Sequence, residues 1–262
     1  MGAVNGSETP RRPRPGRPPS AATVREIYRR LSRHLGPLDP PRRLDPLEEL
    51  ILTVLSQNTS DVNRDRAYAA MRARFPTWEA LAEALPAELA AAIRPGGLSN
   101  IKAPRILSIL REIRDREGSL DLSWMQGAST DRVRDYLTSL PGVGPKTAAC
   151  VLAFSLGRPA LPVDTHVYRV ARRMGFFDDR TDPAGAHAVM EALVPARLRV
   201  RMHVAMIRLG RTICRAGRPA CQVCPLLDLC PTAPSVIGHR ARTASTGSSP
   251  RPARARGGMR SE

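Results

Sequence analysis

The chain has 262 residues, with 41 Lys and Arg against 24 Asp and Glu, a net charge of +17 at pH 7. A surplus of that size favours a polyanionic partner over a cationic one. No apolar run is long enough to span a bilayer, and the Pro- and Arg-rich amino-terminal stretch lacks the apolar core of a secretion signal. The expected setting is the cytoplasm, with cysteines reduced or metal-bound rather than paired as disulfides.

The ends hold part of the charge: residues 1–20 contribute +3 and residues 239–262 contribute +5, leaving +9 between them. Residues 1–20 carry five prolines and four arginines and read as a disordered basic arm. Val24, Ile27, Tyr28 and Leu31 predict a helix over 22–35, and Pro37, Pro40 and Pro41 then break the chain. Leu47, Leu50, Ile51, Val54 and Leu55 give an amphipathic helix over 45–57, ending in the polar run Ser56-Gln57-Asn58-Thr59-Ser60-Asp61. Further helices are expected around Tyr68 to Phe75, over 78–93 and over 101–113, with Gly96-Gly97-Leu98-Ser99-Asn100 as a loop. An irregular connector over 118–127 leads to a helix opening at Asp131, and later helices fall near 165–174, 184–194 and 198–211. No segment shows the alternation of a strand, so the expected fold is all-α.

The stretch Leu140-Pro141-Gly142-Val143-Gly144-Pro145-Lys146-Thr147-Ala148 joins two helical patterns through a turn with two glycines, the signature of a helix-hairpin-helix. Glycines permit positive φ and let backbone N–H groups approach an outside partner. The second helix begins at the same place, so its unpaired N–H groups and positive dipole end suit a phosphate. An ordinary helical hairpin is the alternative for this motif taken alone. Only Lys102 and Lys146 are lysine among the 41 basic residues. In a chain that assigns its cations to arginine, a lysine at the hairpin suggests a task that needs an amine able to lose its proton. Eighteen residues on lies Asp164, in Pro162-Val163-Asp164-Thr165-His166. Asp164 reads as a helix N-cap, and a capping aspartate is also a rigidly placed one.

Cys214, Cys221, Cys224 and Cys230 form a C-x6-C-x2-C-x5-C run that could wrap one metal centre. Zinc is the ordinary occupant of four cysteines, but these gaps do not make two close pairs. Arg215 and Arg218 lie in the first cysteine loop, open either to phosphate or to solvent, and Cys150 reads as a small core residue.

Taken together these blocks resemble the endonuclease III family of DNA glycosylases, helix-hairpin-helix proteins with an iron–sulfur cluster. The resemblance runs from about Asp45 to Cys230 and rests on four stretches in order. They are LPGVGPKTA, VDTHVYRVARRMG, HVAMIRLGRTIC leading into the cysteine run, and Gly97-Leu98-Ser99-Asn100-Ile101-Lys102-Ala103. It implies a two-lobed fold, with a six-helix barrel over 43–158 and a second lobe made of the helix in 21–42 with residues 159–232. A disordered basic tail over 233–262 would follow. It further implies a [4Fe–4S] cluster on Cys214, Cys221, Cys224 and Cys230, a monomer, and double-stranded DNA with damaged or abasic sites as the partner.

In that family resemblance, Lys146 and Asp164 are catalytic, and Gly142, Val143, Gly144, Gln57, Asn58, Leu98, His166, Arg215 and Arg218 meet the DNA. The damaged base leaves the stack, Leu98 with Gln57 or Asn58 fills the gap, and Lys146 attacks C1′ of the sugar. The base departs, a Schiff base forms, and β-elimination nicks the strand 3′ to the lesion. Only about one part in 10^3 to 10^4 of an ordinary lysine is free amine at neutral pH, so the site must favour that form. Asp164 would stabilise positive charge on the sugar or take a proton. His166 lines the pocket or serves as a structural histidine.

Two departures bear on substrate. The family's wedge block reads Leu-Ser-Ala-Gln-Ala-Thr-Asp, where this chain has Leu55-Ser56-Gln57-Asn58-Thr59-Ser60-Asp61, so the gap-filling amide is Asn58 by position or Gln57 by type. The stretch Gly118-Ser119-Leu120-Asp121-Leu122-Ser123-Trp124 looks more like archaeal relatives and the plant cytosine-demethylating glycosylases. The leading reading is a bifunctional glycosylase and abasic-site lyase for damaged, oxidised pyrimidines. A monofunctional mismatch glycosylase and a non-catalytic DNA-binding module with a zinc site are the rivals.

Overall fold

The computed structural model describes residues 10–13, 17–40 and 43–238, and among these every regular element is helical. Eleven α-helices follow in order: α1 Ala21–Leu35, α2 Pro46–Leu55, α3 Asp61–Arg74, α4 Trp78–Ala82, α5 Pro86–Ala92, α6 Ser99–Glu117, α7 Thr130–Ser139, α8 Pro145–Cys150, α9 Thr165–Arg173, α10 Pro183–Leu193 and α11 Arg199–Thr212. None is long and apolar enough to cross a membrane.

Short polar side chains start most of them. Ser20, Asp45, Ser60, Thr77, Ser129, Asp164 and Asp182 each accept a backbone N–H in the first turn of the helix they precede. Prolines at the first position of α2, α5, α8 and α10 sacrifice an N–H that had no partner in the helix.

Two apolar cores result. The first gathers α2 to α8, with Leu50, Ile51, Val54, Leu89, Ile106, Leu110, Val133, Leu137 and Ala149 among its members. The second gathers α1, α9, α10 and α11 with the cysteine segment, through Val24, Ile27, Val167, Val170, Met202, Met206 and Leu226. Each fully buried Leu or Ile contributes roughly 1.5–3 kcal/mol. The chain crosses from one core to the other between Ala160 and Leu161. Polar ties span the junction: Arg211 forks onto Asp61 at 2.6 and 3.2 Å, and Arg134 reaches Glu191 at 3.3 Å.

Three features depart from the sequence-based expectation. Helix α8 does not run on as an α-helix; Val151–Ser155 is a π turn, closed by Leu156 N–H donating to Val151 O at 3.1 Å. Part of the expected disordered arm is docked: Arg12 donates to Asp228 O at 3.0 Å and Arg11 N–H to Thr23 Oγ1 at 3.3 Å. Residues 233–238, expected as disordered tail, instead form a helical turn in which Ala233 is buried. The rest of the arm, residues 1–9 and 14–16, and the tail over 239–262 lie outside the described residues.

Candidate active site

Lys146 stands at the second position of α8, directly after the turn of the hairpin, and is half-buried. Gly142 takes φ +70, the left-handed conformation that glycine adopts without strain. The Arg105 side chain lies so close to Gly142 that an added Cβ would meet its Nε at 2.6 Å. Gly144 caps α8 with extended backbone, and Pro145 presets the first helical φ. Val143, expected to face DNA, is a core side chain at 5% exposure, and its N–H donates to Leu140 O at 3.1 Å within the turn. Packing and turn closure thus engage both its side chain and its N–H.

Asp164 is half-buried and caps α9, its Oδ1 accepting Val167 N–H at 2.7 Å. A carboxylate has two oxygens and about four acceptor positions, so this cap leaves it capacity for a further partner. His203 on α11 packs between Pro162, just before Asp164, and Phe154. It is 4% exposed, its Nδ1 lies 2.7 Å from Pro162 O, and its ring tilts against Phe154 at 5.4 Å. Burial pushes its pKa down to about 4, opposed by the Asp164 carboxylate and reinforced by Lys146.

A second buried group lies on α2, which packs against α8. Glu49 on α2 is 8% exposed and accepts a hydrogen bond from Thr53 Oγ1 at 3.0 Å. Burial raises its pKa to about 7 despite the Thr53 bond and the Lys146 charge, which both lower it. Nothing in the periodicity of α2 marks this position, because a glutamate there reads as a solvent-facing residue.

The two loops expected to enter DNA share an unusual conformation. Asn58 and Leu98 have φ of +52 and +51, the positive values found at non-glycine residues among those described. Such strain persists where surrounding structure enforces it, often at ligand-binding sites. Leu98 is 48% exposed and its neighbour Ile101 is 56% exposed, an apolar pair facing water. Gln57 accepts a hydrogen bond from Arg105 Nη1 at 2.9 Å, whereas Asn58 is exposed. Lys102 joins the two loops: at 1% exposure, it donates to Leu55 O at 2.7 Å and Gly96 O at 2.9 Å. Its spacing marked it as part of the family-like block, but only the fold shows its ammonium inside.

His166 is half-buried, with Nδ1 3.1 Å from Arg169 Nη2 and its Cβ against Gly210. Arg169 in turn donates to Gly210 O and Cys214 O. This pattern gives His166 a bracing role between α9 and α11. Arg215 and Arg218 are exposed on the first cysteine loop.

The four cysteines line one cavity of about 30 Å³ with Val170, Met174, Leu209, Leu227 and Val236. Among the described residues no group of three or more Cys, His, Asp or Glu is arranged to hold a metal ion. The donor set nevertheless suits a thiophilic centre: four sulfurs share the cavity, and Cys224 and Cys230 each feel the charge of Cys214 and Cys221. Burial raises Cys224 to about 11, so without a cation its thiol stays protonated. Arg173 braces this loop, donating to Arg215 O at 2.8 Å and Ala216 O at 2.7 Å, with Cys214 Sγ 3.3 Å away.

Residues 51–196 match the model of the HhH-GPD superfamily base excision DNA repair proteins. The chain is 35% identical over 207 residues to endonuclease III of Thermotoga maritima, covering 79% of this chain and 90% of that protein. It is 34% identical over 191 residues to a protein of Arabidopsis thaliana named as a DNA glycosylase, covering 69% of this chain and 65% of the relative, so it spans just under two thirds of that relative's length. The fold superposes on a trapped endonuclease III–DNA covalent intermediate with a TM-score of 0.72 and 28% identity, over 83% of this chain and 99% of the other. On a thermostable thymine-DNA glycosylase, at 24% identity over 81% of this chain and 95% of the other, the TM-score is 0.65, a likeness of fold. The chain belongs to the HhH-GPD superfamily of base excision DNA repair proteins and is an endonuclease III-like DNA glycosylase.

Proposed function

We propose that this protein removes damaged, oxidised pyrimidines from duplex DNA and cuts the resulting abasic site through an imine on Lys146. The observation that supports the reading is a half-buried lysine at the second position of the helix that follows the two-glycine turn, where unpaired N–H groups are gathered. Lys146 Nζ, as free amine, attacks C1′; the C1′–N bond breaks, and the base leaves with the bonding electrons. Asp164 stabilises the positive charge that builds on the sugar. Loss of a proton from the nitrogen and cleavage of C1′–O4′, with O4′ leaving as the sugar hydroxyl, give the imine, and loss of the C2′ proton then expels the 3′ phosphate by β-elimination.

Leu98 and Asn58 fill the space that the extruded nucleotide vacates, since both are exposed while Gln57 is held by Arg105. The glycines of the hairpin and Arg215 and Arg218 take the phosphates. Cys214, Cys221, Cys224 and Cys230 would hold a [4Fe–4S] cluster, which would fix the loop carrying the two arginines. We further propose that the lobes divide as 43–158 and 159–232, the latter joined by the helix of 21–42.

Borohydride trapping on a duplex bearing an abasic site, comparing wild type with Lys146→Gln, tests the reading. A covalent adduct present in the wild type and lost in the variant is the expected result. Soluble wild-type protein that binds the duplex yet gives no adduct would overturn the lyase step and leave a monofunctional glycosylase.

A further inference from the structure

We propose that Glu191 is a positioning residue for the imine chemistry, a single carboxylate that ties the hairpin carrying Lys146 to the segment that ends at Asp164; this rests on the imine reading above. Glu191 stands on α10, and its two oxygens have different partners. Leu161 N–H donates to Oε1 at 3.0 Å, and Arg134 Nη2 donates to Oε2 at 3.3 Å. The Glu191 side chain is 17% exposed and that of Arg134 30%, so water reaches the pair without surrounding it. Arg134 lies on α7, the first helix of the hairpin, from which the two-glycine turn leads directly to Lys146. Leu161 is fully buried, on the second-core side of the crossing at Ala160, and lies three residues before Asp164.

Other groups fasten the same segment to the second lobe. Arg199, at the start of α11, donates to Pro159 O at 2.8 Å, to Val194 O at 3.2 Å and to the backbone carbonyl of Glu191. His203 Nδ1 lies 2.7 Å from Pro162 O. Residues 159–162 thereby move as one with α10 and α11. Against the hairpin side this body has apolar contacts, α10 on α8 and the His203 ring on Phe154, which resist separation better than they resist sliding. The Glu191 bonds add direction, because a hydrogen bond weakens steeply when its angle is spoiled.

The tie is short of slack at its far end. It grips Leu161 through a backbone N–H, not a flexible side-chain tip. Between that N–H and Asp164 stand Pro162, whose ring fixes φ, and Val163, a core residue at 4% exposure. A displacement of Leu161 is therefore passed on to the aspartate. A partly exposed ion pair adds little to stability. A shift of about 1 Å between reacting groups, by contrast, can cost on the order of a hundredfold in rate. The signature of the tie is thus a loss of rate without a matching loss of affinity or stability.

Two variants cut it at different points. Glu191→Gln keeps an oxygen for Leu161 N–H but removes the charge that Arg134 meets, and Arg134→Met removes the hairpin end alone. Cyanoborohydride trapping on an abasic duplex, with enzyme in saturating excess, gives the rate of imine formation. A duplex with a tetrahydrofuran site, which cannot form an imine, gives the affinity. We expect each variant to trap about tenfold more slowly with affinity within about twofold of the wild type, and the double variant to be no slower than either single one, since both cut one tie. Arg134→Lys, which keeps a donor, restores most of the rate. Unchanged trapping in the variants, slowdowns that multiply in the double variant, or a loss confined to affinity or to urea stability would each overturn the proposal. Arg134→Met decides the question alone if Glu191→Gln does not fold. Absence of any wild-type adduct would overturn the imine reading and this proposal with it, a result distinct from adducts that form at the wild-type rate in every variant.

Discussion

Lys102 shows how one side chain can set the shape of a surface proposed to meet DNA without reaching it. Its ammonium is buried, and burial lowers its pKa, so the charge is held at a cost that its two carbonyl partners offset. Those carbonyls belong to the end of α2 and to the loop before Leu98, the two places where the backbone is strained. Lys102→Met keeps most of the volume but leaves both carbonyls unpaired. We expect a loss of about 1–3 kcal/mol in denaturant unfolding, together with weaker binding to an abasic-site duplex as the two loops separate. Unchanged duplex affinity in the destabilised variant would show that the loops hold their shape without it. Lysine scarcity singled out both lysines in the sequence. It did not distinguish them, because burial and partners come from α2 and the 94–98 turn, which are distant or irregular in pattern.

At the scale of elements, the hairpin and α6 form one unit. Arg105 lies over Gly142 and at the same time holds Gln57, so the hairpin turn, α6 and the end of α2 share one guanidinium. Gly142→Ala would place a methyl on a left-handed residue and against Arg105. We expect about 1–2 kcal/mol of destabilisation from the backbone, with some of the lost activity recovered in Gly142→Ala/Arg105→Ala, which removes the clash but not the strain. Equal activity in the single and double variants would show that the contact with Arg105 is immaterial.

Most helices were legible because each buries one stripe of apolar residues and begins at a short polar cap, as at Ser129 or Asp182. The hairpin was legible because its glycines and proline have few other uses in combination. The π turn was not, since Val151 to Ser155 is apolar throughout and supports any helical period. Arg105, Glu49 and His203 were missed for a related reason: a charged residue on an amphipathic helix reads as solvated, and only the neighbouring helix decides otherwise. The docking of Arg12 on Leu227 and Asp228 joins segments far apart in the chain, which local composition cannot reveal.

For the whole molecule, two buried titrating groups pull its stability in opposite directions. His203 has its pKa lowered to about 4, so the unfolded chain binds more protons between there and its ordinary 6.5, and stability rises with pH across that window. Glu49 has its pKa raised from 4.5 to about 7, so the native state binds more protons in that range, and stability falls as pH rises through it. Replacing Glu49 by Gln removes the second effect. Relative to the wild type, the variant should become more stable as pH goes from about 4.5 to 7, by on the order of 2–3 kcal/mol. Urea unfolding at a series of pH values measures this; a difference independent of pH would mean that Glu49 ionises as readily in the fold as in water.

The π turn at Val151–Ser155 makes the path from Lys146 to Asp164 sensitive to chain length. A π turn accommodates one residue more than the α-helix it interrupts, and everything beyond it is rotated by about a quarter turn or more as a result. Removing one residue there would let the helix close normally, yet swing Leu156 and the segment leading to Asp164 out of phase with the hairpin. Ser155, whose hydroxyl donates to Leu44 O at 2.8 Å, would lose its anchor in the same stroke. Point changes in this stretch should therefore be far milder than a single deletion, because what it conveys to the aspartate is a count of residues more than their identity.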